Sequence, residues 1–301
     1  MPGRPPRARG DGVLPLRAPA LVALRPEPGA HRRASRDGPR GPHARPPAPA
    51  SPAQRGGRRA RRGRAEAGAA LKRWPASPAS AWCSPATKVL EELGRPYEIV
   101  FVDDVSRDRT RDIIRDIVAA HPAAPIQVIL HDVNRGRGAT VSDGFRAARG
   151  DIVGYLDVDL EVHARYIPSL VRAIEKGAEV ATVRRIYAFQ LRSLDRYFMS
   201  RGYSYLVRKM LGTSLHDTET GYKFFRREAL MPVLDEIRDT GWFWDTEFMV
   251  RAERRGLRVA EVPGAYVRRF DKTSTVRGLR DSARYFGKLR AFRRELRDGR
   301  A

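Results

Sequence analysis

Hydrophobic positions divide the chain at about residue 85. Beyond it, short apolar runs alternate with segments of helical spacing. Tyr97-Glu98-Ile99-Val100-Phe101-Val102 is a β-branched and aromatic run closing on Asp103-Asp104, the pattern of a buried strand. Ile113, Ile114 and Ile117 then fall at helical spacing within 109–121. Ile126 to Leu130 predicts a second strand, 138–149 a second helix, and Ile152 to Leu156 a third strand ending at Asp157. Strand, helix, strand, helix, strand at this spacing predicts an α/β fold, a mostly parallel sheet flanked by helices. In such sheets ligands bind beyond the carboxyl ends of the strands. The polar clusters sit there: Asp103-Asp104, Asn134 to Gly138, and Asp157-Val158-Asp159.

Before residue 85 this pattern is lost. The one apolar stretch, Val13 to Leu24, is interrupted by Pro15, Arg17 and Pro19. It is a poor signal-peptide core and an unconvincing strand. Composition sharpens the division. The 301 residues carry a net charge of +23, yet the first 80 hold 18 Lys+Arg against 4 Asp+Glu, 15 of the 22 prolines and one aromatic, Trp74. Such a segment buries too little apolar surface to offset its chain entropy. Residues 1–85 are therefore expected to be disordered, 86–290 to form the folded domain, and 291–301 to be a basic tail. Three origins remain open for 1–85: a basic tail that touches nucleic acid or anionic lipid, a transit peptide, or an alien segment from a gene-model or frame error. No specific nucleic acid partner is expected. The single Cys83 excludes a disulfide framework and a cysteine zinc site. No run approaches 18 apolar residues, so no membrane span is expected.

Three clusters suggest chemistry. Asp157 and Asp159 alternate at a strand end, which puts both carboxylates on one side. Two hard oxygen ligands there suit Mg2+ or Mn2+ bound together with a diphosphate; a solvated loop is the plain alternative. Asn134-Arg135-Gly136-Arg137-Gly138-Ala139 precedes a helix, where glycines admit a close ligand and the helix start favours an anion. Ser106 or Asp108 can cap the helix after Asp103-Asp104. The segment 184–211 interleaves seven cations with six aromatics. Leu191, Leu194, Phe198 and Tyr205 fall near helical spacing, as on a basic amphipathic helix for an anionic membrane surface or on an ordinary packed helix. His163 reads as an exposed loop histidine.

The order of these motifs resembles glycosyltransferase family 2, in its polyprenyl-phosphate (dolichyl-phosphate) mannosyl- and glucosyltransferase-like branch. The landmarks are IVFVDDVSRDRT at 99–110, NRGRGATVSDGFRAARG at 134–150, GDIVGYLDVDL at 150–160, DTETGYKFFRR at 217–227, WDTE at 244–247, and Glu261-Val262-Pro263. The resemblance covers roughly residues 86–290. It implies a GT-A fold and an inverting transfer of a hexose from a nucleotide-diphosphate sugar, of GDP-mannose or UDP-glucose type, to a polyprenyl phosphate. It implies donor contacts from Asp103, Asp104, Asn134, Gly136, Arg137, Gly138 and Asp157, and a metal held by Asp157 and Asp159. Asp217, Asp245 and Glu247 are the implied catalytic acids. Arg185, Arg201 and Lys223, with Arg269 and Lys272 of a basic loop, are the implied ligands of the acceptor phosphate. A soluble or polysaccharide acceptor, and a degenerate non-catalytic protein of the same fold, remain open.

Family members open with an apolar strand, a turn and a helix. Here Thr87 to Gly94 reads as the end of that helix, and no convincing strand precedes it. The expectation is a sheet without its first strand, with weak donor binding and poor stability. A cytoplasmic protein, peripheral to the membrane, is the expected location.

Overall fold

The computed structural model describes residues 20–25, 78–157, 161–187, 194–267 and 278–299. Seven strands form one sheet in the order β3-β2-β1-β4-β6-β5-β7. They are β1 (Ala20–Leu24), β2 (Tyr97–Asp103), β3 (Ile126–Leu130), β4 (Ile152–Leu156), β5 (Val180–Tyr187), β6 (Tyr222–Arg226) and β7 (Val259–Tyr266). The α/β expectation holds, and the sheet is mixed rather than mostly parallel. β2 pairs with β3, and β5 with β7, in parallel; the other four neighbour pairs are antiparallel. Five strands still share one direction, and β1 and β6 run against them.

The place of the first strand is filled, by a strand that runs against its neighbours. Ala20–Leu24 lies at the middle of the sheet, antiparallel to both β2 and β4, with Val22 opposite Ile99 and Gly154. All five residues are buried. Proline on either side does not disqualify a strand of five residues, because the ring is excluded only from the ladder itself. Side chains alternate between two helical layers. Ala20, Val22 and Leu24 join the core under α1 (Pro78–Glu92), α2 (Thr110–Ala120) and α4 (Ile167–Glu175). Leu21 and Ala23 join the core under α3 (Arg137–Ala147), α6 (Arg227–Leu234) and α7 (Trp244–Arg254). Burying Leu21, Val22 and Leu24 contributes roughly 1.5–3 kcal/mol each.

The helices follow their apolar spacing. Ile113, Ile114 and Ile117 are part of the buried face of α2, and Asp108, one residue before the Arg109 cap position, accepts from the Thr110 amide at 3.0 Å. α1 ends where Thr87 to Gly94 placed a helix end, and the expected boundary at residue 85 falls inside it. A third cluster joins α5 (Leu194–Leu211), α7 and α8 (Gly278–Arg297) through Val207, Leu211, Phe243, Val250, Leu289 and Phe292. Residues 291–297 are thus helix rather than tail. Among the described side chains of α5, Val207 and Leu211 pack in this cluster and Tyr205 is exposed; Leu191 and the side chains of Leu194 and Phe198 lie outside the described residues.

Strand direction positions the site. β2, β4, β5 and β7 end on one edge of the sheet, which brings Asp103, Asp157, Arg185 and Tyr266 toward one side. β6 runs the other way, so its beginning reaches the same edge. The loop before it, Asp217 to Gly221, is delivered there as well.

Candidate active site

A shallow cleft opens at this edge, lined by Asp157, Arg185, Glu219, Thr220, Tyr222 and Tyr266 among others. Asp157 follows β4 directly. Its amide donates to the Gly221 carbonyl at 2.8 Å, and its carboxylate lies against the Cα of Gly221, where any Cβ would collide at 1.8 Å. This position therefore requires glycine, which explains Gly221 beside Tyr222.

Arg137 ties the cleft to the buried interior. Its guanidinium donates to Asp157 Oδ1 at 2.8 Å and to Asp245 Oδ2 at 3.0 Å. It stacks over the rings of Tyr155 and Trp242 at 5.4 and 5.0 Å. Burial opposes its charge, and the Asp245 and Asp157 carboxylates more than restore it, raising its pKa. Asp245 Oδ1 in turn accepts from Lys223 Nζ at 2.8 Å and from the Tyr155 hydroxyl. Lys223 is wholly buried, and burial pushes its pKa down. It donates also to the Thr220 carbonyl. Lys223 lies beneath the site and faces no open surface, contrary to the role expected of it at an acceptor phosphate.

Asp217 forms a second buried pair. Arg185 grips it with Nε at 2.6 Å and Nη2 at 2.9 Å. Burial alone pushes the Asp217 carboxyl up, and the guanidinium overrides this and holds it low. Glu261 anchors the same loop by accepting from the His216 and Asp217 amides at 2.9 and 3.1 Å. That gives Glu261-Val262-Pro263 a structural meaning.

Other expected residues are placed differently. Glu247 spends both carboxylate oxygens inside the protein. It accepts from the Arg238 and Asp239 amides at 3.1 and 2.8 Å and from Arg251 Nη2 at 2.8 Å. It holds a loop and does not reach the cleft, because residues two apart on a helix point to nearly opposite faces.

Asp103 is fully buried and accepts from Arg111 Nε at 2.7 Å. Asp104 accepts from the Arg135 and Gly136 amides at 2.7 and 2.8 Å and lies 2.9 Å from His131 Nδ1. Burial raises its pKa, and these partners together hold it below the usual carboxylate range. Asn134 donates to the Asp104 carbonyl at 3.0 Å. The acidic pair thus shapes the loop at 134–138.

Gly136 has a φ of 90° and packs on Thr240, where a Cβ would meet the carbonyl oxygen at 2.5 Å. That carbonyl accepts from the Gly138 and Ala139 amides at 2.8 and 3.2 Å. Two amides at the start of α3 are thus engaged within the chain. Val105 beside the pair holds a φ of 59°, a conformation costly for a β-branched residue. His163 is exposed, as expected, and its ring accepts from the Arg165 amide at 3.1 Å. Arg201 is exposed on α5. Asp159, Arg269 and Lys272 lie outside the described residues.

Sequence reasoning passed over Tyr155, Glu219, Trp242 and Arg111. Glu219 carries a signal in the fold. It is partly buried in the cleft, and burial raises its pKa to about 7, against the pull of Arg185. Among the described residues no cluster of three metal-binding side chains is formed. Asp157 offers a hard oxygen ligand at the cleft, the donor type that suits Mg2+ or Mn2+.

Residues 86–234 match the model of Glycosyl transferase family 2. The chain is 37% identical over 170 residues to glycosyltransferase AglD of Haloferax volcanii, covering 56% of this chain and 27% of that protein. It is 36% identical over 143 residues to undecaprenyl-phosphate 4-deoxy-4-formamido-L-arabinose transferase of Pseudomonas aeruginosa, covering 48% of this chain and 41% of that one. The chain spans less than half the length of these curated relatives. Among solved structures, glucosyl-3-phosphoglycerate synthase of Mycobacterium tuberculosis, in complex with Mn2+, uridine diphosphate and glucosyl-3-phosphoglycerate, aligns with a TM-score of 0.47 at 21% identity, covering 66% and 68% of the two chains. Over residues 86–234 the chain belongs to glycosyltransferase family 2.

Proposed function

We propose that this chain transfers a hexose from a nucleoside diphosphate sugar to a polyprenyl phosphate at a membrane face. The observation that carries this reading is Arg137, held between Asp157, which lines the cleft, and the buried Asp245. A fixed cation beside a strand-end carboxylate is the arrangement that a diphosphate leaving group needs. Asp157, with Asp159 two residues on, would hold a divalent cation, which supplies further neutralisation of the diphosphate when bound. The acceptor phosphate is anionic near neutral pH and attacks the anomeric carbon without a strong base. That fits a site whose acids Asp217 and Asp245 are paired with Arg185 and Lys223. One curated relative supports the acceptor class by its name, the undecaprenyl-phosphate transferase.

No helix among the described residues is long and apolar enough to cross a membrane. Tyr205 and Leu206 on α5 and Phe286 on α8 are exposed beside Lys209 and Arg290, which stack on Tyr205 and Phe286. Aromatic and basic side chains mixed in this way suit a peripheral contact with anionic lipid.

The test is a transfer assay with UDP-glucose and GDP-mannose, each with undecaprenyl or dolichyl phosphate and Mg2+ or Mn2+. Lipid-linked hexose is the expected product, with a loss of at least a hundredfold in Asp157→Asn. A folded chain that forms no glycolipid from either donor overturns the reading.

A further inference from the structure

Four groups surround the Arg137 guanidinium. Asp157 and Asp245 accept from it at 2.8 and 3.0 Å, and the rings of Tyr155 and Trp242 lie 5.4 and 5.0 Å from its centre. Asp245 and Tyr155 belong to the buried interior, and Asp157 lines the cleft. Trp242 is the outermost of the four. It is 55% exposed, whereas the Arg137 side chain beneath it is 13% exposed. An aromatic ring over a cation stabilises it more when the cation is also kept from water.

The loop that carries Trp242 is fastened to the helix that carries Arg137. The Thr240 carbonyl accepts from the Gly138 and Ala139 amides at 2.8 and 3.2 Å. Asp239 accepts from the Gly241 amide at 2.7 Å and from Lys288 of α8, and Glu247 holds the Arg238 and Asp239 amides. Backbone and ring therefore clasp the first residues of α3 at two points. Two carboxylates already offset the charge of Arg137, so its pull on a further anion depends on its orientation and on the dielectric around it. A cation held in place and shielded from water attracts a phosphate more strongly than a mobile, solvated one.

We propose that Trp242 is a positioning residue for the donor diphosphate: its ring holds the Arg137 guanidinium in place and away from water, and itself makes no contact with the nucleotide. The proposal rests on the nucleotide-sugar reading above. It adds the group that sets Arg137 from the solvent side.

The test is calorimetric titration of UDP and GDP with Mg2+ into the full chain and into Trp242→Phe and Trp242→Leu. The first variant keeps an aromatic face over the cation, and the second keeps only apolar cover. The side chain is mostly exposed, and melting temperatures report folding. Trp242→Leu is expected to lose about tenfold in nucleotide affinity, and Trp242→Phe to stay within about threefold of wild type. In an Arg137→Gln background the loss from Trp242→Leu is expected to disappear, because the ring acts through the guanidinium. The same loss in both backgrounds would overturn the proposal and make Trp242 a direct contact of the nucleotide. Unchanged affinity in Trp242→Leu, or an equal loss in Trp242→Phe, would overturn it as well, and this comparison stands without the Arg137 variant should that chain not fold. A wild-type chain that binds neither nucleotide defeats the functional reading itself, an outcome distinct from the others.

Discussion

The tripeptide Asp-Thr-Glu occurs twice, at 217–219 in the loop before β6 and at 245–247 at the start of α7. The two copies touch. Thr218 Oγ1 and Thr246 Oγ1 are 3.0 Å apart, and the Tyr203 hydroxyl reaches Thr246 at 2.9 Å. Yet their acids do different work. In the loop, Asp217 and Glu219 both turn toward Arg185, one in close contact and one at 4.0 Å. On the helix, Asp245 meets Lys223, Tyr155 and Arg137, while Glu247 points away to Arg251 and two loop amides. The same spacing of two keeps side chains together in an irregular loop and separates them on a helix. Identical residues therefore gave one acid pair gathered at Arg185 and one divided between the buried Arg137–Lys223 network and the scaffold.

The comparison breaks most readily at Asp245. Asp245→Ala leaves Lys223 buried with no carboxylate, and Arg137 with Asp157 alone. A loss of about 3–5 kcal/mol is expected in urea unfolding. If Asp245 only served chemistry, stability would hold while transfer failed. Glu247→Gln is expected to cost roughly 1–3 kcal/mol, because its amide nitrogen faces a donor and Arg251 keeps only Glu295. Nucleotide affinity should stay within twofold of wild type; a larger drop would return Glu247 to the site.

Glu219 gives a pH test. Its pKa rises from the ordinary 4.5 to about 7, first through burial. Between those values the folded chain binds more protons than the unfolded one, so stability falls as the pH rises through this window and levels off above it. Glu219→Gln removes that fall. Melting curves at pH 5 and pH 8 should show the variant gaining on the order of 1–2 kcal/mol relative to wild type at pH 8. The smallest effect concerns the threonine bridge. A double-mutant cycle with Thr218→Val and Thr246→Val should give a coupling of about 0.5–1 kcal/mol. Zero coupling would mean that the two copies meet without supporting each other.

The sequence exposed those parts of the fold where local pattern and burial agree. β2 and β4 are buried apolar runs closing on polar residues, and Asp157 stands where the strand rule puts it; β3 was legible too, although it is an edge strand with Val128 and Leu130 exposed. α2 was legible from three isoleucines and a capping aspartate. Glu247 was misplaced because a motif was read without its helical period. Lys223 was misplaced because a lysine inside a strand pattern is rarely an inward-facing one, and only Asp245 opposite makes it so. Asp103 had an unseen partner in Arg111, eight residues on. β1 was illegible for another reason. Ala20–Leu24 carries a strand's apolar run in a setting of prolines and arginines, and only pairing with β2 and β4 selects it.

That strand also bears on how the chain reaches this structure. Arg95 grips the Arg25 carbonyl across a sequence separation of 70 residues, and the partners of β1 on β4 lie well over a hundred residues away. Contacts so distant form late, since loop closure must come before any gain from pairing. β2 with β3 can assemble from nearer neighbours, while β1 and β4 must meet from opposite sides of the whole first half of the domain. One strand of five residues therefore closes both cores at once, so the two helical layers share a single cooperative joint.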